Sequence, residues 1–154
     1  MEIVVAGTFG RGKTPLSAFD DELFEAGVAN YNLIKLSSII PAGARIKKKK
    51  IESLIKEYGF KLYVVYDYKI AAKNESAWAG LGWFQEEDGR GIFVEHSGSN
   101  KEKVENLIKD SILELQKRRK YKGKYNKLII GKKNKSNDFI CSLVIAKYKV
   151  ENWN

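Results

Sequence analysis

Apolar residues recur along this chain in two rhythms: short continuous runs that predict strands, and wider-spaced stripes that predict helices. EIVVAG (Glu2 to Gly7) is a run of the first kind and leads into a glycine-rich stretch, so a strand followed by a loop is expected. Thr14-Pro15 supplies a cap residue and a proline at the first helical position, after which Leu16, Phe19, Leu23 and Phe24 fall at helical spacing until Gly27. Asn30 to Ile40 reads as a second strand, and Ile51 to Tyr58, stopped by Gly59, as a short helix with Leu54 and Ile55 turned inward.

Three strands follow, Phe60 to Ile70, Ser76 to Phe84 and Gly91 to Ser97, and the Asp88-Gly89 turn signal inside QEEDGRG makes the last two a hairpin. Ser99 and Glu102 form a capping-box pattern ahead of a second helix, in which Val104, Leu107, Ile108, Ile112 and Leu115 make one apolar stripe that ends in a basic turn. Strands around Leu128 to Ile130 and Phe139 to Val150 close the chain. With two main helices and mostly hairpin connections, the expected class is α+β: a layered αββα sandwich of mostly antiparallel sheets with the helices on the outer faces.

The chain has 154 residues, 44% hydrophobic, which suits one core and therefore a single domain over 1–154. No stretch reaches the about 18 uninterrupted apolar residues of a membrane span, and the Met-Glu start lacks the layout of a signal peptide, so a cytoplasmic protein with no membrane partner is expected. Cys141, the only cysteine, lies inside FICSLVIA and reads as buried packing; with His96 as the only histidine, no set at metal-ligand spacing exists. The net charge of +9 and the runs KKKK (Lys47 to Lys50) and KRRKYKGK (Lys117 to Lys124) raise the possibility of a basic RNA-binding module. Lysines far outnumber arginines and are spread over nearly every polar face, which favours a solvated surface with no nucleic-acid partner.

Two stretches carry candidate chemistry. GTFGRGKT (Gly7 to Thr14) matches the phosphate-loop pattern G-x-x-x-x-G-K-[ST] between a strand and a helix, and LYVVYD (Leu62 to Asp67) offers an Asp at a strand end. Pro15 argues against a phosphate loop, because consecutive backbone N–H groups at the helix start would be the donors and proline has none. The second stretch is NLIKLSSIIPAG, which places Ser37 and Ser38 side by side between apolar runs.

Gly7 to Ile46, with TPL, AFD, AG, NLI, SSI and P-x-x-A in order and nearly without gaps, resembles the N-terminal half of the pyruvoyl-dependent arginine decarboxylases. IFVEHSG (Ile92 to Gly98), followed by the long helix, resembles the family's strand that carries an acidic residue into the site, while Lys47 to Ala77 has no familiar counterpart. In that family the glycine-rich stretch binds no nucleotide. The resemblance implies autocatalytic cleavage between Ser37 and Ser38, giving chains 1–37 and 38–154 and a covalent pyruvoyl group at position 38, with neither PLP nor a metal. Such a carbonyl forms a Schiff base with the substrate's amine and accepts electrons as carbon dioxide leaves, converting L-arginine to agmatine for polyamine synthesis.

The resemblance nominates Glu95 as the acid that returns a proton to the α-carbon; following Phe93 and Val94 on an apolar strand, its partial burial would keep it protonated. A solvent-facing Glu paired with a lysine is the alternative. Asp20 matches the family's guanidinium-binding carboxylate, against a helix-surface Asp near the N-terminus. Leu23 would pack on the substrate's methylenes or simply on the core. Asn32 would orient the cleavage site or hold the substrate's polar end, or else face water from an edge strand. The family's assembly implies a homotrimer, or a multiple of one, with sites between subunits. Alternatives are a related pyruvoyl decarboxylase acting on another amino acid or S-adenosylmethionine, and a P-loop nucleotide-binding protein.

Overall fold

The computed structural model describes residues 1–154. In chain order its elements are β1 (Glu2–Gly12), α1 (Pro15–Glu25), β2 (Asn32–Lys35), β3 (Ile39–Ile40), β4 (Arg45–Lys48), a 3₁₀ turn (Ile55–Glu57), β5 (Lys61–Ala71), β6 (Ser76–Gln85), β7 (Gly91–Gly98), α2 (Lys101–Arg119), β8 (Lys124–Lys133) and β9 (Phe139–Glu151). A five-stranded sheet has the order β2-β5-β9-β1-β4, and a four-stranded sheet the order β3-β7-β6-β8. Only β1–β4 and β2–β5 pair in parallel. The other pairs are antiparallel.

Each face of each sheet has its own apolar set. Ile3, Val5, Val65, Val144 and Ala146 of the first sheet meet Ala79, Leu81, Trp83 and Phe93 of the second between the sheets. Ala26, Val28, Leu62, Val64, Leu143 and Ile145 form the core under α1, and Phe84, Ile92, Val94, Val104, Ile108 and Ile112 the core under α2. The layers therefore run α1, five-stranded sheet, four-stranded sheet, α2, which is the expected αββα sandwich. The hairpin joining β6 to β7 also forms where expected, with Gly89 at φ +87° in the turn.

Four local expectations are corrected. The stretch after Gly7 is no loop: β1 continues to Gly12, paired residue by residue with β9 from Gly7↔Val144 to Gly12↔Phe139. The glycines are explained by α1, since a Cβ on Gly10 would lie 2.3 Å from the backbone nitrogen of Glu22 and one on Gly12 2.3 Å from Ser17 Oγ. That close approach also turns the helix. Ala18 and Glu22 face the sheet, Phe19 and Leu23 flank them partly buried, and Leu16 and Phe24 are 76% and 59% exposed.

The segment from Ile51 to Tyr58 is not a helix beyond its one 3₁₀ turn, and Ile55 is 92% exposed rather than inward. Too short to form a helix without packing, it is held instead by Ile51 in the α1-side core and by the hydroxyl of Tyr31 donating to Glu57 at 2.5 Å. On α2 the cap is Asn100, whose side-chain oxygen accepts from the Lys103 N–H at 2.9 Å, in place of Ser99, and Leu107 faces solvent. Finally, Asn30 to Ile40 is not one strand. β2 pairs with β5 in one sheet and β3 with β7 in the other, so the chain crosses between sheets through Leu36, Ser37 and Ser38.

Candidate active site

Strand alternation carries Glu95 to the same side of β7 as Phe93, into the rim of the space between the sheets. There the crossing segment meets it. The Ser38 hydroxyl lies 3.0 Å from each oxygen of the Glu95 carboxyl, and the Ser38 carbonyl accepts from the Phe93 N–H at 2.8 Å. Ser38 is 9% exposed, whereas Ser37 faces solvent.

The backbone at Ser38 has φ +72°, the left-handed region that a Cβ disfavours by about 1–2 kcal/mol. Serine adopts it here at the crossing from β2, which ends at Lys35 in one sheet, to β3, which starts at Ile39 in the other. A strained, hydrogen-bonded hydroxyl next to a second serine carbonyl is well suited to attack within the chain.

Burial pushes the Glu95 pKa above the ordinary carboxylate value; the Ser38 hydrogen bond and the charge of Lys35 act in the opposite sense, and Asp67 adds to the rise. The expected effect of partial burial is thus present. Lys35 on β2 was not singled out, and Asp67 on β5 only as the strand-end Asp of the phosphate-loop reading, because nothing in a strand pattern distinguishes a rim position from a surface one. On the α2 side of β7, a hollow of about 580 Å³ is lined by Val94, Glu95, His96, Asp110, Ser111, Glu114 and Leu115, with His96 Nε2 3.1 Å from Ser111 Oγ.

The remaining candidates lie elsewhere on the chain. Asp20 is exposed on α1, and Leu23 packs on the core under that helix, so both stand across the five-stranded sheet from Ser38 and Glu95. Asn32 is exposed on the edge strand β2, where its side-chain amide donates to the Gly59 carbonyl at 2.7 Å. Gly7 to Gly12 are extended and paired with β9, and the Arg11 N–H donates to the Asp21 carboxylate at 2.8 Å, so GTFGRGKT does not wrap into a phosphate cradle; Thr14 is the helix cap, and Lys13 is exposed. Cys141 is buried, and burial pushes its thiol up to about 12.

The family profile described as pyruvoyl-dependent arginine decarboxylase matches residues 2–152. A pyruvoyl-dependent arginine decarboxylase of Pyrococcus furiosus is 30% identical over 152 residues, covering 94% of each chain. Proteins of the same description from Pyrococcus abyssi and Halobacterium salinarum are 29% identical over 154 residues (94% of each chain) and 36% identical over 93 residues (60% of this chain, 58% of the relative). With a match along nearly its whole length, and with Ser38 against Glu95, this chain belongs to the pyruvoyl-dependent arginine decarboxylase family.

Proposed function

We propose that this protein cleaves itself between Ser37 and Ser38 and then decarboxylates L-arginine to agmatine and carbon dioxide in the cytoplasm, feeding polyamine synthesis. The observation that carries the reading is Ser38 itself, nearly buried, left-handed and hydrogen-bonded to a carboxyl of raised pKa. In the first step the Ser38 hydroxyl oxygen bonds to the Ser37 carbonyl carbon, the Ser37–Ser38 C–N bond breaks, and the hydroxyl proton passes to the Ser38 nitrogen. Loss of the Ser38 α-proton then expels the Ser37 carboxylate and leaves dehydroalanine, which takes up water and releases ammonia. The pyruvoyl group so made at position 38 supplies the electron-accepting carbonyl that the decarboxylation needs.

Glu95, whose pKa burial raises, is the acid that delivers a proton to the substrate's α-carbon after carbon dioxide departs. Asp20 is the carboxylate for the guanidinium, where a planar cation is matched by two parallel N–H···O bonds. Because Asp20 and Leu23 stand across a sheet from Ser38, they reach that serine only from a second copy. Leu16, Asp20 and Phe24 fall four residues apart on one exposed face of α1, so two uncovered apolar side chains flank the carboxylate, as a subunit contact would require. A homotrimer, with sites shared between neighbours, satisfies this arrangement.

Mass spectrometry of the purified chain tests the proposal. The expected result is a chain 1–37 with a second chain starting at a blocked position 38, agmatine formed from arginine, and an intact, inactive Ser38→Ala protein. A wild-type chain that stays whole after incubation under mild conditions overturns it.

A further inference from the structure

Strand β9 runs through the middle of the five-stranded sheet, and its residues Val144 and Ala146 point at the second sheet. Tyr148, two residues on, has the same parity and packs against the same core at its rim. Its hydroxyl donates to the Ile39 carbonyl at 3.0 Å, and its ring meets Phe93 edge-on at a centroid distance of 6.1 Å. The two carbonyls that follow the Ser37–Ser38 bond are therefore held by separate layers. Phe93 of one sheet donates its backbone N–H to the Ser38 carbonyl, and Tyr148 of the other donates its hydroxyl to the Ile39 carbonyl.

This grip falls where the backbone has least of its own. β3 is only two residues long, with Ile39 and Ile40 its whole ladder to β7, and Ile39 is nearly half exposed. A turn that contains a serine at φ +72° relaxes unless its surroundings over-determine it. Burial, with a smaller contribution from the Glu95 charge, raises the Tyr148 pKa, so the phenol stays protonated and remains a donor.

We propose that Tyr148 is a positioning residue for self-cleavage: by holding the Ile39 carbonyl it keeps Ser38 in the left-handed turn from which its hydroxyl attacks the Ser37 carbonyl. It acts on the first step, in which the Ser38 oxygen replaces the Ser38 nitrogen on the Ser37 carbonyl carbon, and it exchanges no proton itself. The inference rests on the cleavage reading above, and the two fail differently.

The test follows cleavage over time after a pulse of synthesis in wild type, Tyr148→Phe and Tyr63→Phe, by mass spectrometry of the full chain. Tyr63 serves as control because it neighbours Tyr148 in the same sheet, across from Lys149, but its hydroxyl bonds to Glu151 at 3.2 Å and not to the crossing segment. Tyr148→Phe keeps the ring and is expected to cleave about tenfold more slowly, the size of one lost hydrogen bond. Its melting temperature should stay within a few degrees of wild type. Hydroxylamine, which cuts esters and spares amides, should release no fragment from its uncleaved chain, because that chain has stalled before the ester. Tyr63→Phe should cleave at the wild-type rate.

Three results overturn the inference while leaving the cleavage reading intact: wild-type kinetics in Tyr148→Phe, equal slowing in Tyr63→Phe, or a stalled Tyr148→Phe chain that hydroxylamine cuts, which would put the hydroxyl in the elimination step. A wild-type chain that never cleaves at this bond overturns the reading and the inference together.

Discussion

The molecule contains two buried pairs of an aliphatic hydroxyl and a carboxyl, and the proposed function places chemistry at only one of them. Thr8 donates to Glu22 beneath α1, and Ser38 donates to Glu95 at the rim between the sheets. Both carboxyls have raised pKa values and burial is the leading cause in each. Their backbones differ. Thr8 sits in a regular ladder, paired with Leu143, whereas Ser38 sits at a break between two sheets, in a left-handed turn beside another serine. Under the proposed cleavage, the comparison teaches that a hydroxyl–carboxyl pair becomes a reaction site through backbone strain and a neighbouring serine carbonyl, and not through the pair alone.

The largest expected effect tests the sealed pair. Glu22 is wholly buried, one of its oxygens has no partner, and burial pushes its pKa from 4.5 up to about 8. A carboxyl whose folded value is raised stabilises the fold in full below its unfolded value, and that contribution is lost as pH rises from about 4.5 to about 8. The loss amounts to at most about 5 kcal/mol, at about 1.4 kcal/mol per pH decade. Urea unfolding at pH 5 and pH 9 should show wild type losing stability across this window and Glu22→Gln losing much less. Equal slopes in the two proteins would mean that Glu22 is ionised in the fold.

Next in size is the open pair. Glu95→Gln keeps shape but removes the transferable proton, so in cleaved protein kcat should fall by about 10²-fold with KM nearly unchanged, while Glu22→Gln should stay within a few-fold of wild type at neutral pH. Extent of cleavage has to be measured first, because Glu95 also touches Ser38. Similar losses of kcat in both variants would erase the distinction drawn between the pairs.

The smallest effect is expected at the end of the first stretch. Lys13→Ala should change arginine decarboxylation by no more than a few-fold, and ATP or GTP with magnesium should not raise the melting temperature, since only a ligand that binds the folded state stabilises it. A nucleotide-dependent rise abolished by Lys13→Ala would restore a binding role to Gly7–Thr14.

Much of this was legible in the residues. The helical stripe Val104, Ile108, Ile112 and the continuous apolar runs of β5, β6, β7 and β9 gave the layers, because burying one face of a helix imposes a period on the sequence and burying both faces of a strand fills it with apolar residues. The paired serines and Glu95 were readable as chemistry through family resemblance. What misled was local: GTFGRGKT has the letters of a loop and the structure of a strand, and NLIKLSSII has the letters of a strand and the structure of a crossing.

The sequence by itself determined the αββα layering, the hairpin at Asp88-Gly89 and the candidates Ser38 and Glu95, since periodicity, turn chemistry and motif are properties of neighbouring residues. Only the tertiary structure decided that Gly10 and Gly12 serve the approach of α1, that Glu22 is buried while Leu16 and Phe24 are not, and that Tyr148 reaches Ile39 across more than a hundred residues of chain. Those outcomes depend on which surfaces meet after the sheets stack, and pairings so distant along the chain leave no mark in any local pattern.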